Sequence, residues 1–392
     1  MRPSLPALIS CSALCLGSAC VVGGTGPTDG GVGFDVTPRD GRGGADTNPV
    51  CPDSPGDVDL LFMIDNSNSM SEEQTSLAMQ LPRLVRTLAS GDLDLDGLPE
   101  FRPVRSLQVG VVTSDMGTGG FVVPTCTAPE TGDDGILRTR GDTARSGCMG
   151  SYPRFLSFSP GTDPDAFATD VGCLARQGTG GCAFEQQLDA VLKAVTPSDS
   201  AIRFANGTRG RGDRDNDGFV RPGALLAVVV VTDEEDCSAS DPGLFDPDSS
   251  TYTSAMTLRC FSYPGDPPLY PIDRYVDGLL AVKGDPRLLV YGVIAGIPTE
   301  LVGTSTDYDA ILSHPDMEEV VDPGMAMRLR PSCNVPGRGL AFPPRRIVRV
   351  GQGLEARGVS TTMRSICQAD FTPAIDAILV RIGDWLQSEF CE

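Results

Sequence analysis

The sequence predicts an α/β fold, an open and mostly parallel sheet with helices on both faces. Two observations carry this expectation. Four segments are near-continuous apolar runs, as strands buried on both faces require. Segments with helical apolar spacing lie between and after them. The first run, VDLLFMI at 58–64, is followed by a helical pattern over 69–90, where Leu77, Leu81, Leu84, Val85 and Leu88 share one face. LQVGVVT at 107–113 is the second strand, and 184–195 is the next helix, with Leu188, Val191, Leu192 and Val195 together. ALLAVVVVT at 224–232 is the most apolar strand, followed by a helix over 275–282 and a strand, RLLVYGVIA, at 287–295. An amphipathic helix over 371–390 closes the chain through Ile375, Ile378, Leu379, Ile382, Trp385 and Leu386. Long polar, Gly- and Pro-rich inserts, at 117–165 and 297–345, interrupt the pattern, and disulfides are expected to pin them.

Composition narrows the function. With 31 Lys and Arg against 52 Asp and Glu, the 392-residue chain carries a formal charge of −21. That balance repels phosphate backbones, so nucleic acid is excluded as a partner, and it offers no polybasic contact to anionic lipid. The single histidine, His314, rules out His-pair zinc chemistry. It lies in Ser313-His314-Pro315-Asp316 and reads as a surface residue. Neither a G-x-x-x-x-G-K-[ST] phosphate loop nor a G-x-S-x-G elbow occurs.

Residues 1–20 read as an export signal: Arg2, an apolar stretch from Leu5 to Leu16, then small residues before Cys20. The run resembles a bacterial lipoprotein signal, which implies lipidation at Cys20. Cleavage near Ala19 with free secretion is the alternative. Residues 21–50 hold nine Gly and three Pro, too little apolar surface to fold, and read as a tether with a reach of roughly 30 Å. One domain is expected over 51–392. The membrane is then met only through the N-terminal anchor, at the outer membrane or cell surface, with a periplasmic or secreted location as the alternative. Beyond Cys11, Cys15 and Cys20, ten cysteines remain, an even number that fits five disulfides in an oxidising compartment. Pairing by neighbours predicts Cys126–Cys148, Cys173–Cys182, Cys237–Cys260, Cys333–Cys367 and a closing Cys51–Cys391 bridge.

In open α/β sheets, ligands bind outside the carboxyl ends of the strands. Asp65-Asn66-Ser67-Asn68-Ser69 follows the first strand, and Thr232-Asp233-Glu234-Glu235-Asp236 follows the 224–232 strand. Together they offer carboxylate and hydroxyl oxygens, a donor set for hard cations such as Mg²⁺, Mn²⁺ or Ca²⁺. FMIDNSNSM resembles the D-x-S-x-S signature of von Willebrand factor type A (vWA) domains, and VVVVTDEED resembles their later Thr-Asp strand end. The resemblance covers roughly 55–390 and implies a Rossmann-like, vWA-like fold. It further implies a metal-ion-dependent adhesion site with Asp65, Ser67, Ser69 and Asp233 around Mg²⁺ or Ca²⁺. It also implies a protein or cell-surface ligand, bound rather than chemically changed. One departure stands out. The family's third loop offers a Thr six residues before a helical Leu, and six before Leu188 stands Cys182. Sulfur is a poor ligand for a hard cation. Asp65 and the serines would also suit capping of the following helix.

Two acidic loops, Asp92-Leu93-Asp94-Leu95-Asp96-Gly97 and Asp213-Arg214-Asp215-Asn216-Asp217-Gly218, match the start of an EF-hand calcium loop. Position 12, where a bidentate Glu belongs, is Pro103 in one and Ala224 in the other. Weak secondary calcium binding or plain acidic turns are both compatible with them. Two further readings stay open: a disulfide- and calcium-stabilised envelope protein with a vestigial metal site, and a metal-dependent hydrolase using the acids at 233–236.

Overall fold

A computed structural model of the chain describes residues 56–335 and 339–388. Cys20, Cys51, Cys391, the export signal and the tether lie outside these residues. In chain order the described elements are β1 (Asp57–Ile64), α1 (Ser71–Ser90), β2 (Ser106–Thr113), β3 (Leu156–Phe158), α2 (Pro164–Leu174), α3 (Gln187–Val195) and β4 (Leu225–Val231). Then come α4 (Arg259–Ser262), α5 (Ile272–Lys283), β5 (Leu289–Ala295), α6 (Tyr308–Ser313), β6 (Cys333–Val335), β7 (Gly339–Ala341), α7 (Arg345–Glu355), β8 (Ser360–Ser365) and α8 (Thr372–Gln387). Short 3₁₀ turns join several of them.

Six strands form the main sheet in the order β3-β2-β1-β4-β5-β8. All neighbours are parallel except β3, which runs antiparallel at the β2 edge. The apolar runs are buried on both faces because each alternate residue meets a different helical layer. Val58, Leu60, Phe62 and Ile64 of β1 pack with residues of α1, α2 and α8. Leu61 and Met63 pack with residues of α3, α5 and α7 on the other side. A third apolar cluster, including Val123, Phe184, Leu244 and Phe245, gathers the inserts around two disulfides.

The chain order reverses between β1 and β4, so the sheet has its switch point there. Register then positions the loops. Ile64 lies opposite Thr113 on one side and Val231 on the other. Asp65, Ser114 and Thr232 are therefore each one residue past the end of an aligned strand.

Two of the neighbour pairings are found, Cys237–Cys260 and Cys333–Cys367. The other two described bridges differ from expectation: Cys126–Cys182 and Cys148–Cys173 replace Cys126–Cys148 and Cys173–Cys182. Cys173 sits inside α2 and faces the core shared with α1, whereas Cys182 belongs to the insert cluster. Eight residues separate them in sequence, but the end of α2 separates their environments. No helix among the described residues is long and apolar enough to cross a membrane.

Candidate metal centre

Asp65 leaves β1 with its backbone N–H donating to Val231 O at 3.0 Å, so the turn is tied to β4 at once. Its side chain is fully buried. Oδ1 accepts from Ser67 N at 2.8 Å and Ser114 Oγ at 3.0 Å, and Oδ2 accepts from Thr232 Oγ1 at 2.6 Å. Ser67 Oγ lies 3.1 Å from Ser69 Oγ. Ser69 in turn hydrogen-bonds the Asp233 carboxyl. The structure thus brings Asp65, Ser67, Ser69 and Asp233 to one place. Asp233 is 2% exposed, and its Oδ1 has no hydrogen-bond partner.

The capping role does not hold. The residue before α1 is Met70, which makes no side-chain cap hydrogen bond. The DNSNS oxygens turn toward one another instead of covering the helix amides. Thr232 helps to fix them. Its hydroxyl accepts from Gln187 Nε2 at 2.9 Å, which leaves its proton for Asp65.

The electrostatics of this end are one-sided. Burial raises Asp65 above the ordinary carboxylate range, against the three hydrogen-bonding neighbours that lower it. Burial and the nearby Asp65 charge push Asp233 up to about 8. Burial pushes Glu73, in the first turn of α1, up to about 7, and its Oε2 has no partner. Two glutamates join them: Glu185, absent from the sequence-based site, and Glu234, one of the acids at 233–236. Burial and the charges of Asp65 and Asp233 raise Glu185 well above its ordinary value, and burial with Glu185 and Asp233 does the same to Glu234. Among the described residues, none of these five acids forms an ion pair. Uncompensated buried carboxylates are costly, and a divalent cation reverses the sign of that cost.

The third loop departs as the sequence indicated. Cys182 is bonded to Cys126 and offers no oxygen. The loop is still held against the site, with Gly181 N donating to Asn66 O at 2.9 Å. Three residues on, Glu185 brings a carboxylate into electrostatic reach of Asp65. The helix begins at Gln187 rather than at 184, so Glu185 lies in the loop. The acidic run after β4 divides in two. Asp233 and Glu234 face Asp65. Glu235 accepts from Arg346 N at 2.9 Å, and Asp236 pairs with Arg346 Nε at 3.0 Å while capping Leu188 N at 2.9 Å.

The two acidic loops also differ from each other. Asp92, Asp94 and Asp96 converge with Glu100, one carboxylate oxygen of each lying within 4.8 Å of the others. Glu100 stands at position 9 of the loop, a ligand position of the calcium-loop pattern outside positions 1, 3, 5 and 12, on which the sequence match was judged. Asp213, Asp215 and Asp217 do not converge. Asp213 accepts from Ser198 N at 2.6 Å, and Asp215 pairs with Arg211 at 2.9 Å. Buried Asn216 uses its amide to hold Leu137 N, Gly135 O and Ala194 O, which makes this loop a structural knot. His314 is partly exposed, with Glu300 at 4.0 Å and Asp316 at 3.9 Å.

No protein-family model matches the chain, and no curated protein sequence matches it.

Proposed function

We propose that this chain is an exported, lipid-anchored vWA-like binding module that captures a protein or surface ligand through a divalent cation. Asp65, Ser67, Ser69 and Asp233 would hold the ion. The observation that carries the reading is the cluster of buried carboxylates without a basic partner at the sheet's switch point. The mostly parallel sheet with helices on both faces is compatible with the vWA-like assignment. The donor set is all oxygen, which suits Mg²⁺ or Ca²⁺. When bound, such an ion supplies a coordination position for an acidic group of the partner. This chain's own residues orient that position. Ser114 and Thr232 fix both oxygens of Asp65, and Ser69 steadies Asp233. A weaker calcium loop at Asp92, Asp94 and Asp96, completed by Glu100, is proposed beside it.

The Cys126–Cys182 bridge favours a second reading, a disulfide-stabilised envelope protein whose adhesion site no longer works. Calorimetric titration of Mg²⁺, Mn²⁺ and Ca²⁺ into the oxidised full chain separates the two. Under the binding reading, tight saturable binding is lost in Asp65→Ala and kept in Asp94→Asn. Equal titrations for the wild type and Asp65→Ala would leave the scaffold reading in place.

A further inference from the structure

Next to the Asp65 end of the sheet lies a cavity of about 240 Å³ with two kinds of wall. Met256, Phe261, Met327, Leu329 and Phe342 form an apolar sleeve. Glu185, Glu234, Glu235 and Glu319 line it with carboxyl groups, and Arg328 is the one base among its lining residues. Three of these five charges are already answered. Arg328 pairs with Asp322 at 3.1 Å, Glu319 pairs with Arg345 at 3.6 Å, and Glu235 takes the Arg346 N–H at 2.9 Å. Glu185 and Glu234 are not. Among the described residues neither forms an ion pair, and neither carboxyl takes a hydrogen bond from another residue. Glu185 is 8% exposed, so a nearly buried carboxylate, hydrogen-bonded only by its own backbone N–H, faces the cavity without a counter-charge.

We propose that this cavity receives one arginine side chain presented by a partner protein. Its aliphatic stem would lie in the Met256–Phe261–Leu329 sleeve and its guanidinium between Glu185 and Glu234. The size argues for a single side chain, because pockets for whole small molecules run from roughly 300 to 1,000 Å³. The wall argues for a long cation with an apolar stem, the way arginine buries its methylenes while its head finds charge. Phe261 and Phe342 favour guanidinium over ammonium, since the planar cation is weakly hydrated and stacks on aromatic faces. The mouth argues for a partner protein. Thr257 is exposed there, and Met327 is 64% and Met325 54% exposed on the adjoining loop. Exposed methionines form adaptable binding collars. The cavity recognises a cation directly, so this inference does not rest on a divalent ion at Asp65.

The test uses the full chain with its disulfides formed, in EDTA, titrated by NMR with N-acetyl-arginine methylamide. The citrulline and norleucine counterparts serve as probes without charge. The arginine probe is expected to saturate and to bind at least about tenfold more tightly than citrulline, the size of one charged hydrogen bond lost. Glu185→Gln/Glu234→Gln is expected to abolish that preference. Thr257→Arg, a substitution at an exposed position, is expected to fill the cavity and block the probe even if the double variant folds poorly. Absence of saturation in the wild type, equal binding of arginine and citrulline, or unchanged binding in the folded double variant would overturn the proposal. So would stoichiometric displacement of the probe by Ca²⁺ or Mg²⁺ once EDTA is removed, because the two glutamates would then be cation ligands.

Discussion

Buried Asp59 lies near the amino end of β1 and buried Asp65 just past its carboxyl end, and the two live in opposite surroundings. Asp59, near the amino end, accepts from Arg221 twice, from the backbone N at 2.6 Å and from Nε at 2.7 Å. Burial pushes it up to about 6, and Arg221 and Lys283 oppose that rise. Asp65, past the carboxyl end, is as deeply buried but has only hydroxyls, one amide and other carboxylates for company. The Asp59 arrangement recurs elsewhere. Asp134 is paired with Lys193 and Arg211, Asp236 with Arg346, and Asp189 with Arg274 at 3.6 Å. Where a buried acid serves the fold, this chain provides its counter-ion from its own sequence. At the Asp65 end it does not, and the missing charge has to come from outside.

The strongest way to break this comparison is to remove the internal counter-ion. Arg221→Met leaves Asp59 buried and unpaired, so a loss of about 3–5 kcal/mol in urea unfolding is expected. Asp65→Asn should act in the opposite direction. In EDTA at pH 8 it removes an uncompensated charge, and the expected result is a midpoint at or above that of the wild type. A large loss in both variants would mean the two ends are alike.

The pH dependence sharpens the contrast. Asp233 titrates near 8 in the folded protein and near 3.8 when unperturbed. Between those values the folded chain holds a proton that the unfolded chain has released. Stability in EDTA therefore falls as pH rises from about 4 to about 8, then levels off. A cation needs the deprotonated form, so its affinity should drop about tenfold for each pH unit below 8 per proton released. Titrations in two buffers of different ionisation heat measure that proton directly. A cation affinity independent of pH between 6 and 8 would remove Asp233 from the ligand set.

Legibility from the sequence follows the strength of the physical signal. Strands β1, β4 and β5 are continuous apolar runs because helices cover both faces, and each is found within two residues of its expected span. Strand β8 is not legible, because it lies at a sheet edge and its residues, STTMRS, form no apolar run. Strand β3 is three residues long and α2 straddles the expected end of the insert at 165, so both escape notice. At the site, Asp65 and Asp233 are visible because each directly follows a legible strand. Glu234 is visible only as one of the four acids at 233–236 and Glu185 not at all, since their inward orientation is set by a loop fixed through the Cys126–Cys182 bridge and by Arg346 drawing Glu235 and Asp236 away. An arginine 110 residues away leaves no local trace.

The smallest expected effect separates the two acidic loops, which look alike in sequence. In the first, Asp92, Asp94, Asp96 and Glu100 meet, and no basic side chain forms an ion pair with any of them among the described residues. In the second, Ser198 and Arg211 already occupy Asp213 and Asp215. This is the contrast of β1 repeated at the surface, where water screens the charges and weakens everything. With a dissociation constant near 1 mM, as loops in extracellular modules can have, 1 mM calcium stabilises by RT ln 2, about 0.4 kcal/mol. That is a melting shift of about 1 °C for a domain of this size. The shift is expected to vanish in Asp94→Asn and to persist in Asp215→Asn, both measured on an Asp65→Ala background so that the main site contributes nothing. The reverse pattern would mean that convergence of carboxylates, together with the absence of an ion pair to a basic side chain, is the wrong criterion for reading these loops.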